Sequence, residues 1–198
     1  MLNAYDKDFN KYYSIFNFNN IESYENAALL SLIGDVKKKK ASYSEALEYY
    51  QKSLAILEKV YGQEHPDIAT SYNNIGEVYR SQGKYPEALE YYKKCLAIRK
   101  KVYSQEHLFI ATTYNNIGAV YNSEGKYSEA IVNFNNAIKF KPYGGVYFQL
   151  ANCYEMQNEL TKALECFEES ARIRLEEKNE NYKESLKNVE RLKKKLDM

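Results

Sequence analysis

Disulfide chemistry has little to work with in this chain. Its three cysteines are an odd number without paired spacing, which fits a reducing compartment and a cytoplasmic protein. Charge of one sign is equally scarce. Against 28 basic residues stand 27 acidic ones, a net charge of +1, which gives no support for a nucleic-acid or anionic-membrane surface. No apolar run approaches the roughly 18 residues of a membrane span. The opening MLNAYDKDFN lacks the basic start and apolar stretch of a secretory signal. The two histidines, His65 and His107, lie in equivalent connections, and no cysteine or carboxylate recurs around them at metal-ligand spacing. They are read as structural loop residues. There is no glycine-rich phosphate loop and no Ser/His/Asp set. These absences point to a protein that is not an enzyme and needs no cofactor.

What the chain does contain is repetition. YNNIGEVYRSQGKYPEALEYY begins at Tyr72, and YNNIGAVYNSEGKYSEAIVNF begins 42 residues later at Tyr114. The alanines Ala46, Ala88, Ala130 and Ala163 anchor four copies, spaced by 42, 42 and 33 residues. Twelve residues before each stands a small residue: Gly34, Gly76, Gly118 and Ala151. Four after stands a large ring, Tyr50, Tyr92, Phe134 or Phe167, and seven after a small residue again, Ser53, Cys95, Ala137 or Ser170.

This alternation describes a pair of helices. Tyr72, Ile75, Gly76 and Tyr79 fall at i, i+3, i+4 and i+7, on one helical face. The small residue lets a second helix approach closely, and that helix uses Ala88, Tyr92, Cys95 and Ile98 in the same way. SQGK and SEGK, carrying Gly83 and Gly125, predict the tight turn between the two helices. One hairpin cannot bury its own apolar face, so the copies must stack. Cys95, Cys153 and Cys166 are read as packing thiols.

In size pattern and spacing, residues 25–176 resemble the tetratricopeptide repeat (TPR) family, with repeats at about 25–60, 67–102, 109–142 and 144–176. The resemblance implies an all-α fold, a right-handed α-solenoid of four helix hairpins. The usual period is about 34 residues. The two longer intervals, with connections VYGQEHPDIATSYNN and VYSQEHLFIATTYNN, are similar to the long repeats of kinesin light chains and of spindle-orientation scaffolds. Eight extra residues amount to about two helical turns, roughly 12 Å.

First helices line the inner surface of such a solenoid, so helical angle gives the inward positions. In repeat two these include Asn73, Asn74, Glu77 and Arg80. In repeat three they include Asn115, Asn116 and Asn122, and in repeat four Phe148, Gln149, Asn152 and Glu155. In repeat one they include Asp35, Lys38 and Lys39, within the run Lys37–Lys40. That run is read either as a solvated helix end suited to the helix dipole or as a basic patch at the groove mouth.

The repeated Asn-Asn is a modest cost in helix propensity, and a side-chain amide offers both donors and an acceptor. By resemblance to kinesin light chains, Asn74 and Asn116 are the best candidates to clamp a peptide backbone, with Asn73 and Asn115 beside them. The alternative is a ladder that ties one repeat to the next, and the two roles are compatible. Asparagine is also abundant here, which residue bias alone can produce. The clamp that binds acidic chaperone tails is incomplete, because Thr112 and Asn116 stand where it needs cations.

Residues 180–196 carry Tyr182, Leu186, Val189, Leu192 and Leu196 on one stripe, which predicts a C-terminal capping helix. Residues 1–24 carry Phe9, Tyr12, Tyr13 and Phe16 at helical spacing and are read as a cap or a docking segment. The functional expectation is a scaffold or adaptor that takes a partner's peptide segment into its groove, without nucleic acid, membrane insertion or cofactor. The alternative is a structural subunit of a large cytoskeletal or ciliary assembly, held by its edges and convex face. The sequence leaves the partner and the oligomeric state open.

Overall fold

The computed structural model describes residues 24–103 and 108–197. The aromatic N-terminal segment and His107 lie outside the described residues. Within them the regular structure is nine α-helices: α1 (Tyr24–Lys39), α2 (Tyr43–Tyr61), α3 (Pro66–Ser81), α4 (Tyr85–Val102), α5 (Leu108–Ser123), α6 (Tyr127–Phe140), α7 (Gly144–Met156), α8 (Leu160–Glu176) and α9 (Tyr182–Lys195). They form two compact units that divide between Gln63 and Glu64. The first unit holds the α1–α2 hairpin. The second holds the hairpins α3–α4, α5–α6 and α7–α8, with α9.

Each hairpin turns on the same device. A left-handed residue follows the first helix: Ala41 (φ 57°), Gly83 (72°), Gly125 (73°) and Asn158 (61°). The next residue reaches back to satisfy a helix-end carbonyl: Ser42 N–H to Lys37 O at 2.9 Å, Lys84 to Tyr79 at 2.9 Å, Lys126 to Tyr121 at 2.9 Å and Glu159 to Tyr154 at 2.9 Å. The two glycines were expected there. Ala41 and Asn158 fill the same place without a glycine, and of the two only asparagine visits this region readily.

The small-residue positions do what their spacing requires. A Cβ added at Gly34 would meet the Tyr50 ring at 2.7 Å, at Gly76 the Tyr92 ring at 2.9 Å, and at Gly118 the Phe134 ring at 2.7 Å. All three rings are fully buried. Each first helix therefore serves as a flat seat for an aromatic ring of its partner helix. In the fourth hairpin Ala151 and Phe167 are both fully buried, so that pair accommodates a Cβ.

Stacking within the second unit uses an apolar stripe that the repeat pattern did not reveal. Ile110, Ala111 and Val120 of α5 are all essentially inaccessible. Ala88 and Tyr92 of α4 pack against Ile117 and Val120 of α5. Ala130 and Phe134 of α6 repeat this against Leu150 and Cys153 of α7. Ala163 and Phe167 of α8 repeat it against Val189 and Leu192 of α9.

That register identifies α9 as the first helix of a further repeat. Two polar contacts agree. Arg99 of α4 donates to the Thr113 hydroxyl of α5 at 2.7 Å, and Cys95 lies 3.7 Å from the same hydroxyl. Arg174 of α8 donates to the Ser185 hydroxyl of α9 at 3.0 Å, and Ser170 lies 2.9 Å from it. Leu186, expected in the buried stripe, is 45% exposed. It occupies the place of Tyr114, whose ring stacks on Phe140 of its own second helix, and α9 has no such partner among the described residues.

Candidate functional site

The inner row of the second unit is made by α3, α5 and α7. Helix α3 starts at Pro66, the first-turn position where a missing N–H costs nothing. His65 caps it, its Nδ1 accepting the Asp67 N–H at 3.3 Å, so this histidine has the structural role read from the sequence. The inward hydroxyls are spent locally. Thr70 and Thr112 donate to the Pro66 and Leu108 carbonyls at 3.1 and 2.9 Å, and Ser81 and Ser123 to the Glu77 and Ala119 carbonyls at 2.9 Å.

The amides run across the helices. Asn116 Nδ2 of α5 donates to Asn73 Oδ1 of α3 at 3.0 Å. Gln149 Nε2 of α7 donates to Asn115 Oδ1 of α5 at 3.2 Å. Cys153 Sγ of α7 lies 3.5 Å from Asn122 Oδ1 of α5. Asn73 in turn donates its Nδ2 to Glu77 Oε1 at 3.0 Å and is only 8% exposed. The two asparagines of the second pair thus face different neighbours, with Asn115 tied to α7 and Asn116 to α3. Asn74 and Asn152 are half-buried, and among the described residues no hydrogen bond engages either side chain.

Other inward positions are held from the side. Arg191 of α9 grips Glu155 through two bonds of 2.6 and 2.7 Å. Its guanidinium, by hydrogen bond and charge, holds the Glu155 carboxyl below the usual range. Phe148 meets the Phe167 ring edge-on at 5.2 Å and carries the Arg174 guanidinium 4.7 Å from its centroid, so its ring is committed to packing between helices. Arg80 is exposed. Lys38 belongs to the first unit, in the basic last turn of α1.

Two features escaped the sequence reading. The first is the pair of buried arginines. Arg99 is 5% exposed and also donates to the Phe109 carbonyl at 2.8 Å. Arg174 is 8% exposed, and burial lowers its pKa. Both stand eleven residues after the anchor alanine, a register that could have revealed them. The second is a hydroxyl–carboxylate pairing beneath the inner row. Tyr50 donates to Asp35 at 2.6 Å in repeat one, and repeat two places Tyr92 and Glu77 at the same positions. Repeats three and four have Phe134 with Ala119 and Phe167 with Asn152, losing hydroxyl and acid together.

The thiols are ordinary packing groups. Cys95 and Cys153 are buried and Cys166 half-buried, all free. Burial raises the Cys95 pKa and pushes Cys153 and Cys166 up to about 11.

The hairpin register and the inner amide row are those of a repeat scaffold. Tetratricopeptide repeat models match residues 25–101 and 67–142, and a second such model matches residues 144–177. The chain belongs to the tetratricopeptide repeat family. Among solved structures it is similar to BtubC (BKLC) from P. vanneervenii, with a TM-score of 0.76 and 20% identity over 89% of this chain and 77% of that one. It is also similar to a kinesin light chain-like protein of Podosopora anserina with nearly identical TPR-like repeats. That match has a TM-score of 0.67 and 17% identity over 88% of this chain and 98% of that one. No curated protein matches the chain. At these identities the likeness is one of fold. The fold is that of a protein–protein interaction scaffold, in a family that is generally not enzymatic. Among the described residues no helix is long and apolar enough to cross a membrane.

Proposed function

We propose that the inner face of α3, α5 and α7 receives an extended peptide segment of a partner protein. The observation that carries this reading is the amide row itself. Asn73–Asn116 and Asn115–Gln149 are bonded helix to helix, which fixes side chains that would otherwise lose rotamer freedom on binding. Each amide has two N–H donors and an oxygen with two lone pairs, so one bond to a neighbour leaves capacity for a peptide backbone. Asn74 and Asn152, which no hydrogen bond engages among the described residues, are the residues that contact the peptide first, with Arg80 at the rim. Asn73, Asn115, Asn116, Asn122 and Gln149 hold the row in register. Phe148 packs inside, and Glu155 is neutralised by Arg191. The resemblance to kinesin light chain-like repeats supports a cytoplasmic adaptor with a link to the cytoskeleton.

Selection from a displayed random peptide library tests this. The wild-type chain is expected to enrich a motif, and Asn74→Ala/Asn152→Ala, which removes no described hydrogen bond, is expected to lose it while melting at the same temperature. Equal enrichment by both proteins would remove the inner row from the binding site. Absence of any enriched peptide, together with co-purification at fixed stoichiometry, would favour the structural-subunit role.

A further inference from the structure

Helix α9 carries the inner row one rung further. In the register fixed by its packing on α8, Lys187 stands in the place of Asn73 and Asn115, Asn188 in that of Asn74 and Asn116, and Arg191 in that of Glu77 and Ala119. Lys194 replaces Arg80 and Asn122, and Lys195 replaces Ser81 and Ser123. This rung is joined to α7 as the others are joined to each other, by side-chain bonds across the helices, here from Arg191 to Glu155. The run of cross-helix amide bonds stops short of α9. Asn116 and Gln149 each donate to an asparagine one helix back, but the register gives Asn188 the ring of Phe148 at that place, which has no amide oxygen to offer. Asn188 instead donates to the Glu184 carbonyl and accepts from Arg191 on its own helix.

The charges of this rung are one-sided and largely unspent. Lys187, Asn188, Glu190, Arg191, Lys194 and Lys195 line an open cavity on α9, four cations with one carboxylate. Arg191 is committed to Glu155, and Glu184, at the head of the same face, lies 4.0 Å from the buried Arg174. Lys187, Lys194 and Lys195 are exposed, and among the described residues no salt bridge holds any of the three. Lys193, which faces α8, is paired with Glu168 at 2.7 Å. The helix dipole favours the cations of the last turn, Lys193 to Lys195, but gives no reason for Lys187 about two turns earlier.

From Lys187 to Lys195 the cations extend over about 12 Å. One terminal carboxylate covers a small part of that span, whereas an extended chain covers it with about four residues. A nucleic-acid backbone suits it less, because Glu190 lies among the cations and a balance of 28 basic and 27 acidic residues provides no wider positive field for phosphates. We infer that α9 is an acidic-end subsite of the inner face: Lys187, Lys194 and Lys195 take a run of Asp or Glu side chains adjoining the segment that lies across the amide row, and so fix which end of the bound peptide sits at α9. This rests on the inner-face reading above and specifies the ligand's charge and its direction.

The test repeats the random-library selection with Lys187→Gln/Lys194→Gln/Lys195→Gln. These side chains are exposed, so the variant should melt with the wild type. The wild type is expected to enrich peptides with acidic residues clustered at one end, and the variant to lose that cluster. Affinity for an enriched peptide at low ionic strength should fall on the order of tenfold in the variant, and the gap should shrink at high ionic strength. Lys93→Gln/Lys139→Gln/Lys178→Gln removes the same charge at exposed positions away from the inner row and should leave the affinity unchanged. An equal loss there would overturn the inference, and so would a single-stranded oligonucleotide that binds α9 as tightly as the peptide. An enriched motif without acidic residues, or an acidic cluster that the variant retains, would also overturn it and leave the inner face standing if Asn74→Ala/Asn152→Ala still weakens the same peptide. Failure to enrich any peptide would remove both readings.

Discussion

A methyl group placed on Gly76 would lie 2.9 Å from the ring of Tyr92, closer than real Cβ contacts come. Two effects of Gly76→Ala oppose each other. Helix propensity favours alanine by about 1 kcal/mol, while overpacking a tight core costs about 1–3 kcal/mol. Tyr92 is fully buried and has no room to swing away, so the clash wins. Gly76→Ala is expected to lower the urea midpoint, and an unchanged or higher midpoint would show that the ring yields.

Ala41 presents the opposite case. It holds φ 57° where repeats two and three use glycine. A left-handed conformation costs an L-residue about 1–2 kcal/mol, and glycine escapes most of this at the expense of a more flexible unfolded chain. Ala41→Gly should stabilise by about 0.5–1 kcal/mol, and Gly83→Ala should destabilise. Thermal melts of the two variants must move in opposite directions.

Arg99 ties α4 to α5 through the Phe109 carbonyl and the Thr113 hydroxyl. Arg99→Ala removes two charge-assisted bonds and leaves that hydroxyl with fewer partners. The expected loss is about 2–4 kcal/mol. Arg172 is an exposed residue bonded to Glu169 and Glu176 on its own helix, and replacing it should cost under about 1 kcal/mol. Equal losses at both positions would mean that burial of Arg99 adds nothing.

The thiols set an alkaline limit. Burial holds Cys153 and Cys166 protonated up to a pKa of about 11, whereas in an unfolded chain a thiol ionises near 8.5. Between these values the unfolded state has lost the protons and the folded state keeps them, so stability falls as pH rises through that window. The contribution is fully present below about pH 8.5. Urea midpoints should decline from pH 9 to 11, and Cys153→Ala/Cys166→Ala should flatten the decline. At pH 8 the native thiols should alkylate on the order of 100-fold more slowly than in denaturant.

How much of this was legible depends on what repeats. Gly76 with Tyr92, and Gly118 with Phe134, could be read because size alternation at fixed spacing is a property of one hairpin. Val120 could not, because it faces a neighbouring hairpin and its stripe is set by stacking. Asn73 and Asn74 look equivalent in the sequence. Helical angle places both inward, but only the position of α5 decides that Asn73 is buried against Asn116 while Asn74 is not. The Tyr50–Asp35 bond needed a comparison of two columns at once, since hydroxyl and acid disappear together in the later repeats. The buried arginines were hidden by their charge, which usually marks a solvated position.

The register of α9 gives Glu190 a particular place in this architecture. Glu190 occupies the place held by Gly34, Gly76, Gly118 and Ala151, so a ring from another helix has no flat surface to rest on there. A second helix packed on α9 as in the other repeats would meet that side chain's volume and charge. Glu190→Gly, with a copy of α4 appended through a GK turn, is a direct route to building a longer array.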